Sequence, residues 1–148
     1  MEKYKDSFFV DKYVALWAYG YQNGIGVSEG LYRTINELGF SYFDQQGKYK
    51  ILDIGCGVGR TSSDYARFFK KSKVTGIDPI TLMIDMAKKV NGTNQTMSVD
   101  MRRVGLGVLN IQCNQVENLS FERIDLFSFC QRVSSKTFDL VTAVNVID

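Results

Sequence analysis

Three alternating glycines and the acid before them are the residues of this chain most suited to chemistry. Gly55, Gly57 and Gly59 follow the largely apolar run Lys50–Ile54, which contains Asp53. Glycines allow positive φ and let backbone N–H groups approach a ligand closely at the start of a helix. A carboxylate in a buried strand is costly unless a ligand amine, a water or loop amides meet it. The segment therefore predicts a loop that binds a nucleotide-like ligand.

A second acid follows the next predicted strand. Residues 61–69 predict a helix with an aromatic stripe and lysines near its end, and residues 74–77 predict a short strand that leads into Asp78. An acid at this place can accept hydrogen bonds from ribose hydroxyls. Strand, glycine loop, helix, strand and acid together form one βαβ unit.

The glycine spacing separates two families that share this unit. The dinucleotide-binding fingerprint is G-x-G-x-x-G, and Arg60 occupies its third glycine position. Residues 53–59 read D-x-G-x-G-x-G instead, which resembles the first motif of the class I S-adenosylmethionine-dependent methyltransferases. An NAD-dependent oxidoreductase is therefore the less favoured alternative. A non-catalytic binding module that kept the fold is a second one.

The resemblance extends from residue 48 to residue 148 and is best to small-molecule methyltransferases similar to those of quinone biosynthesis. Residues 78–88 resemble the second acidic motif, which implies that Asp78 binds the ribose and that apolar residues after it border adenine. Residues 115–121 resemble the segment after the third strand, where Gln115 replaces an acid that often contacts the adenine amino group. A glutamine carbonyl can accept that hydrogen bond without charge. Residues 138–145 resemble the fourth strand.

The resemblance implies S-adenosylmethionine as the cofactor and a small molecule as the methyl acceptor. The glycine loop would meet the methionine part of the cofactor, and Asn145 could orient that part or the acceptor. No catalytic base can be named, because the chain has no histidine. The expected cofactor-binding residues are Asp53, Gly55, Cys56, Gly57, Gly59, Asp78, Pro79, Ile80, Met83, Gln115, Val116 and Asn145.

The expected fold class is α/β, a Rossmann-like doubly wound sheet of the class I methyltransferase type. Residues 48–148 would form the N-terminal part of the cofactor-binding domain, after a helical segment at 1–47. Four strands can be placed, near 50–54, 74–77, 108–113 and 139–146, and residues 97–104 are expected to form a short helix. The family usually has seven strands. We infer a fragment truncated after the fourth strand, or an open edge that another chain, such as a homodimer partner, covers.

Aromatic residues at helical spacing mark the N-terminal segment: Tyr13, Trp17 and Tyr21. They predict one aromatic helix face, and a second helix is expected to begin near Ser28 and to end at Gly39. Such helices often lie over the cofactor in similar methyltransferases, so Trp17, Tyr19 and Tyr21 are candidate lid residues. An aromatic stripe at this spacing is more often core.

Composition excludes several other classes. The 148 residues are 45% hydrophobic and 23% charged, as in a single globular domain, and a net charge of +2 with scattered basic residues predicts no nucleic-acid surface. Three cysteines without histidine argue against a metal site or a disulfide framework, and Cys56 is expected to pack within the loop. No apolar run spans a membrane and no signal peptide is visible, so a cytoplasmic location is expected.

Overall fold

Strands and helices alternate from residue 50 to residue 91, which is the pattern of a parallel sheet covered by helices. The computed structural model describes residues 6–134 and 136–144. In chain order the elements are α1 (Ser7–Lys12), α2 (Glu29–Ser41), β1 (Lys50–Ile54), α3 (Arg60–Phe68), β2 (Lys73–Asp78), α4 (Thr81–Asn91), β3 (Thr96–Asp100), β4 (Val108–Gln112), β5 (Leu119–Arg123), α5 (Leu126–Arg132) and β6 (Leu140–Ala143).

Four strands form the main sheet in the order β5-β2-β1-β6, and each neighbouring pair is parallel. This is the order of a doubly wound fold, in which the direction of the strand order reverses beside β1. The predicted α/β class is confirmed. Ligands of such sheets bind outside the carboxyl ends of the strands at this reversal, and the glycine loop begins there.

Helices cover both faces of the sheet because adjacent residues of a strand point to opposite faces. Ile51 of β1 packs with Phe69, just after α3, on one face. Leu52, the next residue, packs with Phe129 of α5 on the other. The central strands are therefore buried on both sides, which explains their continuous apolar sequence.

Residues 108–112 form a strand as predicted, but its assignment to the parallel sheet was wrong. β4 pairs antiparallel with β3 in a separate two-stranded sheet, and β5 is the third parallel strand. The short helix predicted at 97–104 was also wrong, since β3 takes most of that stretch and a single 3₁₀ turn follows at Arg102–Val104. Met97, Val99 and Ile111 of this hairpin are buried against the N-terminal helices, and that packing decides the pairing.

The N-terminal helix changes its winding after α1. Tyr13–Ala18 is π-helical and Gly20–Asn23 is a 3₁₀ turn. We call residues 7–23 the cap. The change splits the predicted aromatic stripe. Tyr13 and Trp17 line one cavity, whereas Tyr21 does not line it and lies against the guanidinium of Arg60. The second predicted helix is confirmed as α2, which continues past Gly39 to Ser41.

Arg60, the first residue of α3, attaches the cap to the sheet domain. Its Nη1 donates to the Ala18 carbonyl oxygen over 2.5 Å, and its Nε lies 2.9 Å from Asp64 Oδ2. Its guanidinium also donates to both carboxylate oxygens of Glu29, at 3.2 and 3.3 Å. The rings of Tyr21 and Tyr32 lie 4.5 and 4.9 Å from its central carbon. The side chain is buried, so these contacts satisfy its charge and its N–H groups.

The hairpin holds the cap from the other side. Gln22 accepts a hydrogen bond from the Gln112 backbone N–H over 2.7 Å and donates to the Gln112 carbonyl oxygen over 3.3 Å. Asn23 Nδ2 donates to the Asn110 carbonyl oxygen over 2.8 Å. Cap, hairpin and α4 share one apolar core. The cap is therefore a packed layer beside the sheet domain.

Replacing Arg60 by lysine tests this attachment. Arg60→Lys keeps the charge but loses the planar fork and the stacking, so we expect the free energy of unfolding to fall by about 1–3 kcal/mol. Urea unfolding measures it. Arg33→Lys is the control, because Arg33 is exposed and lies 4.0 Å from Glu37. It should change stability by less than about 0.5 kcal/mol. Equal effects of the two variants would contradict the role given to Arg60.

Candidate functional site

A cavity of about 750 Å³ lies over the glycine loop. Its floor comes from the loop and β1, one wall from the cap and another from the start of α2. This is the carboxyl edge of the sheet at the reversal of strand order, where doubly wound folds bind their ligands. The lining residues are Phe9, Lys12, Tyr13, Trp17, Ser28, Leu31, Tyr32, Asp53, Gly55, Cys56, Val58, Arg60, Thr61 and Val144.

The three loop glycines adopt the conformation that was predicted from their type. Gly55, Gly57 and Gly59 have φ of 65°, 53° and 80°, a region that other residues rarely occupy. The loop is tied to β2, because the Cys56 N–H donates to the Ile77 carbonyl oxygen over 3.0 Å. Its remaining backbone turns beneath the cavity and enters α3 at Arg60.

Asp53 is buried at the end of β1 and is met by two hydroxyls. Ser62 Oγ lies 2.5 Å from its Oδ2, and Thr142 Oγ1 lies 2.9 Å from its Oδ1. Desolvation by burial nevertheless raises the pKa of Asp53 to about 6. The cost of a buried carboxylate predicted that donors would be present. It did not predict these two residues, which come from a different helix and strand.

The Asp78 carboxylate accepts hydrogen bonds from the glycine loop and from the turn that follows β2. Its Oδ2 accepts the Gly57 N–H over 3.1 Å, and its Oδ1 accepts the Ile80 N–H over 2.8 Å. Burial raises the pKa of this carboxyl, whereas the two amides lower it. Each carboxylate oxygen can accept two hydrogen bonds, so Asp78 keeps acceptor capacity beside the glycine loop.

The residues expected to border adenine follow β2 directly, and none of them lines the cavity. Pro79 is exposed, Ile80 is partly buried and Met83 is buried. Ile80 and Met83 pack in the core shared with the cap. Cys56 lines the cavity, but burial and the charges of Asp53 and Asp78 raise the pKa of its thiol. A protonated thiol supports the packing role expected for Cys56.

Gln115 and Val116 do not line this cavity. Both precede β5 and lie at the opposite edge of the sheet, in a shallow depression beside Arg67 and Lys70. The difference arises because the third parallel strand was expected near 108–113, before these residues. In the structure that strand is β5, which follows them. Asn145, the remaining expected residue, lies outside the described residues.

Ile124 and Asp125 follow β5 at the edge that Gln115 was expected to occupy. The Ile124 N–H donates to the Asp78 carbonyl oxygen over 3.1 Å, which places this turn beside the end of β2. Asp125 caps α5, since its Oδ1 accepts the Ser128 N–H over 2.9 Å. The sequence carried a signal for it, an acid directly before an amphipathic helix start.

The three candidate lid residues separate in the structure. Trp17 lines the cavity and is about half exposed, Tyr19 is buried in the core, and Tyr21 stacks on Arg60. Within residues 6–134 and 136–144, no three His, Cys, Asp or Glu residues are grouped as metal ligands. The same residues include no helix that is long and apolar enough to cross a bilayer.

Comparison with known proteins agrees with the fold and the loop. The family described as "Methyltransferase domain" matches residues 45–148. A malonyl-[acyl-carrier protein] O-methyltransferase of Priestia megaterium (strain DSM 319 / IMG 1521) is 34% identical over 92 residues, which are 62% of this chain and 28% of that protein. The chain therefore belongs to the class I S-adenosylmethionine-dependent methyltransferase family, and it spans about a quarter of the length of this relative.

One of the solved structures shares the architecture at low identity. YjhP from E. coli superposes with a TM-score of 0.53 at 20% identity, over 94% of this chain and 43% of YjhP. Magnesium protoporphyrin IX methyltransferase from Synechocystis PCC 6803, solved with bound S-adenosylmethionine, has a TM-score of 0.48 at 20% identity, over 79% of this chain and 44% of that one. S-adenosylmethionine is the cofactor of the family to which this chain belongs.

Asp53 should make stability depend on pH. Its pKa is higher in the folded protein than the usual 3.8, so the folded state binds the proton more tightly and this carboxyl destabilises the fold as pH rises through about 6. Asp53→Asn should therefore gain stability relative to wild type between about pH 4 and about pH 7, by at most roughly 3 kcal/mol. Urea unfolding across this range measures the gain. Asp44→Asn, at an exposed turn, is the control. A pH-independent difference for Asp53→Asn would contradict the assignment.

Proposed function

We propose that this chain binds S-adenosylmethionine at the glycine loop and serves the transfer of its methyl group to a small-molecule acceptor. The observation that carries the proposal is that the loop and Asp53 line a cavity large enough for a small ligand at the carboxyl edge of the sheet, while Asp78 accepts the Gly57 N–H of the same loop. Residues 48–148 would form the cofactor-binding domain, and the cap with α2 would form the acceptor side.

The residues present fit the cofactor by charge and shape. Gly55 lines the cavity without a Cβ, so the loop backbone can lie against the methionine part there, and an ionised Asp53 would favour its positive charge. Asp78 retains lone pairs for ribose hydroxyls. Pro79, Ile80 and Met83 would border adenine.

The turn after β5 would complete the adenine side in place of the residue that was predicted there. Ile124 is held against the end of β2, and Asp125 offers a carboxylate that could accept from the adenine amino group. Asn145 stays a prediction, as do the cytoplasmic location and a homodimer.

When bound, the cofactor supplies an activated methyl group, whose bond to sulfur breaks as the bond to the acceptor forms. The chain's own residues would hold the acceptor in line and exclude water, a positioning effect of up to about 7–11 kcal/mol. Asp53 is engaged by Ser62 and Thr142, so we assign it to binding and not to proton transfer.

Isothermal titration with S-adenosylhomocysteine tests the proposal directly. We expect saturable binding in the micromolar range to the chain and none with NAD, because Arg60 fills the position where a dinucleotide fingerprint needs glycine. Selective binding of NAD would favour an oxidoreductase instead. Binding of neither compound would reject a working cofactor site.

Asp78→Asn should weaken the binding of S-adenosylhomocysteine by about 1–3 kcal/mol, because it removes a charged acceptor. The amide oxygen can still hold one loop N–H, and circular dichroism checks that the variant is folded. Asp85→Asn is the matched control, since Asp85 is an exposed acid on the helix that follows. Unchanged affinity in Asp78→Asn would remove Asp78 from the site.

A further inference from the structure

We propose that the acceptor is an aromatic acid, a planar ring that carries a carboxylate and a hydroxyl, bound between the cap and α2. Lys12 would determine the preference for the acid and Ser28 the preference for the hydroxyl. This inference rests on the methyl transfer proposed above and names the class of its acceptor.

Aromatic side chains form both walls of the cavity. Phe9, Tyr13 and Trp17 come from the cap, and Tyr32 with Leu31 faces them from α2. Trp17 is 51% exposed and Leu31 is 53% exposed, so each presents apolar surface that a ligand in the cavity can cover. A flat ring gains offset or edge contacts with several aromatic neighbours at once. The walls therefore select a planar, largely apolar body.

Among the described lining residues Lys12 is the cation that can meet an anion, whereas the Asp53 carboxylate at the floor would face the positive charge of the cofactor. Lys12 lines the cap side, with its Nζ 5.8 Å from the centre of the Phe9 ring, and it forms no ion pair with a carboxylate in the described part of the chain. Arg60 is neutralised by Glu29 and Asp64. Lys12 is thus the cation at this cavity that a carboxylate on the acceptor can meet.

Ser28 offers a polar group at the start of α2. The residue lines the cavity, and its Oγ is buried and has no hydrogen-bond partner among the described residues. Buried hydroxyls are normally satisfied, and an unpartnered one is costly. Rotation about the Cα–Cβ bond would direct the hydroxyl to a bound ligand. Ser28 is therefore a specificity-determining residue for a ligand hydroxyl.

The chain contains one tryptophan, Trp17, and it lies in this wall, so its fluorescence reports binding directly. The full chain, with S-adenosylhomocysteine present, is titrated with 4-hydroxybenzoate, benzoate, phenol and benzylamine. We expect saturable changes with affinity falling in that order, and benzylamine at least about tenfold weaker than benzoate because of its charge.

Variants separate the two contacts. Lys12→Gln should remove the preference for benzoate over benzylamine, whereas Lys88→Gln, at an exposed lysine of α4, should keep it.

Ser28→Ala should abolish the preference for 4-hydroxybenzoate over benzoate. Ser63→Ala is its matched control, because Ser63 Oγ is also buried and unpartnered but does not line the cavity. Neither serine variant should unfold the chain, since each hydroxyl lacks a partner.

The outcomes distinguish the two proposals. If S-adenosylhomocysteine binds but acid and amine bind equally or not at all, the acceptor class is wrong and the methyltransferase function stands. If the Lys12 and Lys88 variants behave alike, the anion contact is wrong. If S-adenosylhomocysteine does not bind while benzoate does, the proposed function fails and the acceptor assignment fails with it.

Discussion

A single buried guanidinium connects the parts of this molecule. Arg60 begins the helix that follows the glycine loop, and its N–H groups reach the cap, α2 and α3 together. A buried charge of this kind is tolerable because every direction of the fork meets an acceptor or a ring. Arg60 thereby fixes the cap and α2 against the start of α3, and residues of all three elements line the cavity.

The two halves of the cavity differ in origin. The sheet edge contributes loop backbone and the Asp53 carboxylate, features that come from strand order and glycine conformation. The cap and α2 contribute side chains that cover this edge from outside the sheet. Fold alone says little about the acceptor, whereas the residues of this outer layer carry its chemistry.

The loop and the first two strands were predictable because their signals are local: apolar runs, glycine spacing and an acid at each strand end. The family model and the strand order confirm the class and fold. The third strand was not predictable, since residues 108–112 and 119–123 both favour extended structure and long-range packing chooses between them. Because the third parallel strand was assigned to residues 108–113, Gln115 and Val116 were expected at its carboxyl end. Asp125, which follows the actual strand, was not considered. The role of Arg60 was equally nonlocal, because its partners lie in three separate segments.

The hairpin has a consequence for how the chain folds. Gln22 and Gln112 meet although they are 90 positions apart, so their contact closes a long loop at a large entropic cost. Contacts between β1 and β2 close much shorter loops and can form earlier. The cap should then dock late in folding and be among the first regions to open in the native state, as a separate cooperative unit. Opening of that unit would expose the glycine loop while the parallel sheet stays intact.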